Sequence, residues 1–151
     1  MKFSKKLIIP ALIIIALGVL IAVGPWTFAP VCEVPTDENP DGLWVMTKAG
    51  KQLPMPCGYT ARAEIGVGTG IAIVGGMLIF ATALGAIVAL GAVAALMGAT
   101  AIALPTTLTG TCALTSHTCN TMTLPTLEVL GIALIGVSLG VVVFRNKFIK
   151  P

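Results

Sequence analysis

The sequence predicts an all-α membrane protein, a four-transmembrane-helix bundle with disulfide-stapled extracytoplasmic loops. Three observations lead to that class. From Ile65 to Leu127 there is no Asp, Glu, Lys or Arg, a stretch far longer than a soluble domain leaves uncharged. Hydrophobic residues make up 56% of the chain and charged residues only 10%, with a mean hydropathy of +1.01, which suits a lipid solvent. All four cysteines, Cys32, Cys57, Cys112 and Cys119, fall between the apolar tracts rather than inside them.

The tracts set the number of spans. A helix crosses the hydrocarbon core in about 20 residues. Leu7–Val23 is one such length, Leu127–Phe144 is another, and Ala63–Leu104 is a double one. At ~1.5 Å per residue this middle tract, as one helix, would run about twice the bilayer thickness, so it must fold back on itself. The expected spans are 7–24, 62–83, 87–104 and 126–144, in a single membrane domain covering 1–151, with outer loops 25–61 and 105–125. The turn between the second and third spans is placed near Ala83–Ile87, where Gly85 tolerates backbone angles that other residues resist.

Basic residues orient the bundle. Lys2, Lys5 and Lys6 precede the first span, and Arg145, Lys147 and Lys150 follow the last, with no acid in either flank. Both termini are therefore expected on the cytoplasmic side of a cytoplasmic (inner) membrane. The six acids, Glu33, Asp37, Glu38, Asp41, Glu64 and Glu128, lie on or near the other face, together with Lys48, Lys51 and Arg62. The first span also has the basic front and apolar middle of a cleaved signal peptide. Its exit, Gly24-Pro25-Trp26-Thr27-Phe28-Ala29-Pro30, lacks a small-x-small site and offers Trp26 and Phe28 as an interfacial anchor, so a retained span is preferred.

Four cysteines on the outer face of a membrane predict two disulfides, with three possible connectivities. Pairing within loops, Cys32 with Cys57 and Cys112 with Cys119, is the simplest; pairing across loops stays open because both loops leave one small bundle. The first outer loop carries Pro25, Pro30, Pro35, Pro40, Pro54 and Pro56, which oppose a long helix. Asp41-Gly42, then Leu43–Thr47 and Gly50, predict a short strand or hairpin. The loop is too short for a core of its own, so a stapled cap is expected rather than a domain.

The segment Pro56-Cys57-Gly58-Tyr59-Thr60-Ala61-Arg62-Ala63-Glu64 leads into the second span, with Thr60 as a helix cap and Glu64 near the positive helix end. Ionisable groups at membrane depth also mark cavities and partners, which makes Arg62, Glu64 and, at the fourth span, Glu128 interfacial functional candidates. Arg62 and Glu64 are two residues apart and do not share a helix face. The fourth span repeats the plan with Cys119, Thr123, Pro125 and Glu128.

Taken together, Cys57-x-x-Thr60-Ala61-x-Ala63-Glu64, Pro105-Thr106-x-Leu108-x-Gly110-x-Cys112, Cys119, and Thr123-x-Pro125-x-Leu127 before Gly131 resemble a family of small bacterial four-span membrane proteins classed as a domain of unknown function. The resemblance covers nearly the whole chain and implies four spans; it supplies no activity. Where that family commonly has His and Trp, this chain has Gly58 and Tyr59, so no metal or haem role for the segment carries over.

Gly66-x-x-x-Gly70 and Gly136-x-x-x-Gly140 put small residues on one face of the second and fourth spans, for packing inside the bundle or for a partner. Catalytic constellations are missing. His117 is the single histidine, in a loop between Ser116 and Thr118, and there is no phosphate loop, zinc spacing or nucleophile elbow. No catalytic residue, cofactor or metal site is therefore expected. Nucleic acid is excluded because the net charge of +3 comes from the basic membrane flanks.

Two chemical alternatives stand beside this. Met46, Met55, Cys57, His117, Cys119 and Met122 are of types that bind soft metals, without a ligand-like repeat. Two cysteines in each outer loop of a four-span bundle also look like the membrane oxidases that reoxidise periplasmic thiol oxidants, although Cys32 and Cys57 are not closely spaced. The preferred reading is a non-enzymatic interaction or accessory subunit, embedded in the lipid bilayer and joined to another membrane protein, such as a transporter, or to itself. An extracytoplasmic thiol–disulfide oxidoreductase or a soft-metal-binding membrane protein is the alternative.

Overall fold

Buried residues recur with alternating spacings of three and four along every long helix of the computed structural model, which describes residues 5–32, 44–46, 48–112 and 116–145. In α1 (Lys5–Val23) they are Leu7, Ala11, Ile14, Gly18 and Ile21. In α2 (Pro56–Phe80) the series runs Cys57, Ala61, Glu64, Gly68, Ile71, Gly75 and Leu78, with Thr60 beside it. In α3 (Leu84–Ala103) it is Ile87, Gly91, Ala94, Gly98 and Ala101, and in α4 (Leu124–Val143) Leu127, Gly131, Leu134, Ser138 and Val141. A mean period of about 3.5 keeps one seam of each helix turned to the centre, as in left-handed bundles.

The opposite faces are apolar as well. Ile9 is 67% exposed, Leu96 69% and Val143 70%, and helices that are hydrophobic all round belong in lipid. The stretches Leu7–Trp26, Pro56–Phe80, Leu84–Leu108 and Cys119–Val143 are each long and apolar enough to cross a membrane. The protein is thus all-α with four membrane-type helices, as the hydropathy predicts.

Glycine sets the two tightest crossings, between α1 and α2 and between α3 and α4. A Cβ placed on Gly18 would lie 2.7 Å from the carbonyl oxygen of Gly68, and one on Gly131 would lie 2.9 Å from that of Gly98. Backbone meets backbone at both points, so only the smallest side chains fit.

Four boundaries differ from the sequence expectation. The second helix starts at Pro56, earlier than the expected 62, because Pro56 fits the first helical turn, where its missing N–H costs nothing. Thr60 therefore lies inside the helix and caps nothing; the residue before the helix is Met55, in extended conformation. The break between α2 and α3 falls at Ala81–Ala83, where Ala81 and Ala83 are both extended, and Gly85 sits in the first turn of α3 without a left-handed angle. The third and fourth helices gain a π-turn each at the cysteine end, Leu104–Leu108 and Cys119–Thr123.

At that end a small hairpin forms, as the turn residues predict. Strand β1 (Trp44–Met46) pairs antiparallel with β2 (Gln52–Pro54), Val45 opposite Leu53, and Gly50 turns the connection with φ +73°. Lys2, Glu33, Asp37, Glu38, Asp41, Lys147 and Lys150, which enter the charge argument, lie outside the described residues.

Candidate four-cysteine site

Four chain segments converge at one end of the bundle, each carrying a cysteine. Cys32 follows the short 3-10 turn Gly24–Trp26 that extends α1; Cys57 is the second residue of α2. Cys112 follows the π-turn that ends α3, and Cys119 opens the π-turn that leads into α4. Their sulfurs all lie within 4.8 Å of one another. Cys32 Sγ is 2.9 Å from Cys119 Sγ and 3.4 Å from Cys112 Sγ, and Cys57 Sγ is 3.5 Å from Cys112 Sγ. These three contacts all cross between loops. No two sulfurs stand at covalent disulfide distance, and all four are thiols here.

Two threonines hold this geometry. Thr60, one turn after Cys57, donates to the carbonyl oxygen of Gly110 at 2.9 Å and shares a 2.6 Å hydrogen bond with Thr109 Oγ1, fixing the loop segment that carries Cys112. Thr123, one turn after Cys119, donates to the carbonyl oxygens of Ala29 and Pro30, both at 2.9 Å, fixing the loop segment that carries Cys32. Each latch thus joins a helix that bears one cysteine to the loop that bears another. Gly110 turns its segment inward with φ +79°, where a side chain would be strained. Asn120 adds a third tie: its amide nitrogen donates to the carbonyl oxygen of Cys112 at 2.8 Å, and its oxygen accepts from Thr111 Oγ1.

An apolar shell encloses the sulfurs. Val31, Met55 and Ala61 are buried around them, with Trp26 packed alongside. Cys57 and Cys119 are buried, Cys32 and Cys112 half-buried. Burial works to raise the Cys32 thiol, yet hydrogen bonding with the Cys119 side chain and backbone N–H, and with Cys112 and Cys57, together brings it below its ordinary value. Cys112 is pushed well above it, by burial first and then by hydrogen bonding to Cys119 and Cys32. Thiolate rather than thiol attacks and ligates, so the surroundings of Cys32 favour its reactive form more than those of Cys112 do.

The other sequence-singled residues are distributed differently. Arg62 is exposed on α2, while Glu64 is fully buried on the seam, and neither carboxylate oxygen has a hydrogen-bond partner among the described residues. Glu128 is half-buried near the start of α4. Of the four motif glycines, Gly70 faces the Met97 side chain, whereas Gly66, Gly136 and Gly140 open onto free space. The close-approach glycines are the seam residues instead, Gly18, Gly68, Gly75, Gly91, Gly98 and Gly131. Met55 packs against the cysteines, but Met46 and Met122 are exposed, and His117 does not join the sulfur group. The roles of Thr60, Thr123 and Asn120 were not apparent from spacing, although the repeated order cysteine, threonine, glutamate at two helix starts carries the signal for the two threonines.

Residues 14–144 match the family described as Domain of unknown function (DUF4418). The chain belongs to this family. The match covers α2 to the end of α4 and the second half of α1, from Ile14 on, so the four-cysteine end of this DUF4418 chain, three of its apolar helices and half of the first fall within one family unit. Among curated proteins and solved structures, none matches the DUF4418 chain.

Proposed function

We propose that this chain is a non-enzymatic subunit of the cytoplasmic membrane, termini in the cytoplasm, whose cysteine end is an extracytoplasmic cap locked in its oxidised form by two disulfides, Cys32–Cys119 and Cys57–Cys112. The observation that carries the locking chemistry is the pair of latches. Thr123 ties the Cys119 helix to the Cys32 segment, and Thr60 ties the Cys57 helix to the Cys112 segment. This pairing uses the shortest sulfur separation and leaves no cysteine over. It also links residues 87 and 55 apart in sequence, where the chain-entropy model assigns about 4 kcal/mol to each closure, more than the short Cys112–Cys119 loop offers.

The subunit role is supported by the surface. Gly66, Gly136 and Gly140 open outward from an apolar helix surface, leaving small-residue ground for a neighbouring membrane helix, from another protein such as a transporter or from a second copy. Purification from native membrane in mild detergent tests it. A stoichiometric protein partner or a stable homo-oligomer, lost in Gly136→Leu, is the expected result; a solitary monomer overturns the reading. Non-reducing peptide mapping decides the connectivity separately, and within-loop pairs overturn it.

One observation favours a second reading, thiol–disulfide exchange. Cys32 Sγ reaches both Cys119 and Cys112, and its thiol is the most readily ionised of the pair described above. Attack of the Cys32 thiolate on a Cys57–Cys112 disulfide forms Cys32–Cys112 and releases the Cys57 thiolate, with no net electron change. Titration against a glutathione redox series separates the readings: structural pairs lie below about −300 mV, whereas a pair poised near about −120 mV would make the protein an oxidoreductase.

A further inference from the structure

Disulfides need sulfurs only in two close pairs; the four sulfurs here are, beyond that, all mutually close, within 4.8 Å of one another, with three contacts between 2.9 and 3.5 Å. A tetrahedral ion bound by four thiolates at ~2.3 Å sets them about 3.8 Å apart, inside the 4.8 Å that bounds all four sulfurs and slightly wider than the three contacts, so binding requires only a small outward shift of each sulfur. Polynuclear iron–sulfur cores hold their outer thiolates farther apart than this, so the spacing suits one ion. Among single ions, four sulfur donors in tetrahedral array suit zinc, whose structural sites are closed and four-coordinate.

We infer that Cys32, Cys57, Cys112 and Cys119, in their reduced state, form a closed four-thiolate site for one zinc ion that clamps the ends of the four helices together. The inference deepens the cap-locking reading by assigning the reduced form of the same centre, and it rests only on the convergence of the four sulfurs, not on the disulfide connectivity or the subunit role. On binding, one Zn²⁺ replaces four thiol protons and four Zn–S bonds form, leaving a complex of net charge −2. That charge needs donors in an apolar shell. The Cys119 backbone N–H points at Cys32 Sγ and that of Cys112 at Cys119 Sγ, the N–H to sulfur bonds that an outer shell supplies to zinc thiolates. Further out, Thr60, Thr123 and Asn120 hold the ligand-bearing segments in register. Every position is taken by protein sulfur and Val31, Met55 and Ala61 close the shell, so the site is structural rather than catalytic.

The full chain, purified in detergent, reduced with a phosphine and kept free of oxygen, is titrated with zinc and, in parallel, with cobalt. Saturation at one zinc per chain, thiolate-to-cobalt charge-transfer bands with tetrahedral d–d bands, and zinc protection of all four cysteines from alkylation are expected. Each single Cys→Ser variant should lose the four-sulfur cobalt spectrum. Because such variants can fail to fold, the alkylation measurement on the unaltered chain decides independently. Alkylation rates unchanged by zinc, or protection of only two or three cysteines, overturn the inference. The air-oxidised sample, mapped without reduction, reports the disulfide reading by itself, so either can fail while the other stands.

Discussion

Substituting Gly68 by Ala tests the packing of the bundle at its tightest point. The added Cβ would lie 2.6 Å from the Ala22 backbone nitrogen and 2.8 Å from the Ala22 Cβ, and would press on the Gly18 carbonyl oxygen. None of these is the tip of a flexible side chain, so relief requires α1 and α2 to separate by roughly 1 Å to restore contact of about 3.5 Å. Helix faces that part also lose their remaining dispersion contacts, and overpacking of this kind costs about 1–3 kcal/mol. Gly66→Ala provides the control on the same helix: its Cβ meets nothing within 4 Å, and alanine is the better helix former by up to ~1 kcal/mol. Reversible unfolding in mixed micelles, followed by circular dichroism, should therefore show Gly68→Ala destabilised and Gly66→Ala unchanged or slightly stabilised. Equal stability of the two variants would refute the α1–α2 register on which the shape of the cysteine end depends.

Thr60→Val and Thr123→Val keep shape but remove the latching hydroxyls; each should cost about 1–3 kcal/mol by stranding a part-buried carbonyl at Gly110 or a buried one at Ala29, and raise the share of wrongly paired disulfides after refolding, read by peptide mapping. Wild-type pairing in both would show that the latches do not guide the cysteines. Glu64→Leu should stabilise the protein by about 1–3 kcal/mol, because it replaces a carboxyl that has no hydrogen-bond partner among the described residues and sits at a seam position; a loss of stability would mean that the carboxyl has a partner in the membrane. In fully reduced, metal-free protein at pH 8, Cys32 should alkylate first: its depressed thiol supplies thiolate from a lower pH than an ordinary cysteine, and it is only half-buried. Fastest labelling of Cys57 or Cys119 contradicts that order. Ser4→Cys and Asn146→Cys, in a background without the native cysteines, should resist an impermeant thiol reagent in intact cells; labelling of either reverses the proposed topology.

Much of the site was present in the sequence in fragments. The pattern Cys57-x-x-Thr60 and Cys119-x-x-x-Thr123 at two helix starts marks both latches, but a threonine after a cysteine reads equally well as a cap until its partner is known. The motif spacing of Gly66 and Gly70, or of Gly136 and Gly140, identifies a common helix face without saying which way the face points. The alternating three-four series through Gly68, Gly75, Gly91, Gly98 and Gly131 is the better guide, because a 3.5 repeat belongs to the seam of a bundle and a simple four-residue step does not.

By itself the sequence determined four helices long and apolar enough to cross a membrane, the hairpin and the family, because those follow from local quantities: the cost of a charge in hydrocarbon, the length of chain that crosses it, and the backbone demands of a turn. Only the tertiary structure decided which cysteines meet. Cys32 and Cys119 are 87 residues apart, and nothing local to either records the other. Their encounter depends on helix ends brought level by backbone contacts at Gly18 and Gly68 and at Gly98 and Gly131, and on two hydroxyls that reach across between segments. Those are relations between helices, set by how closely the backbones pack, and they exist only once the bundle has formed.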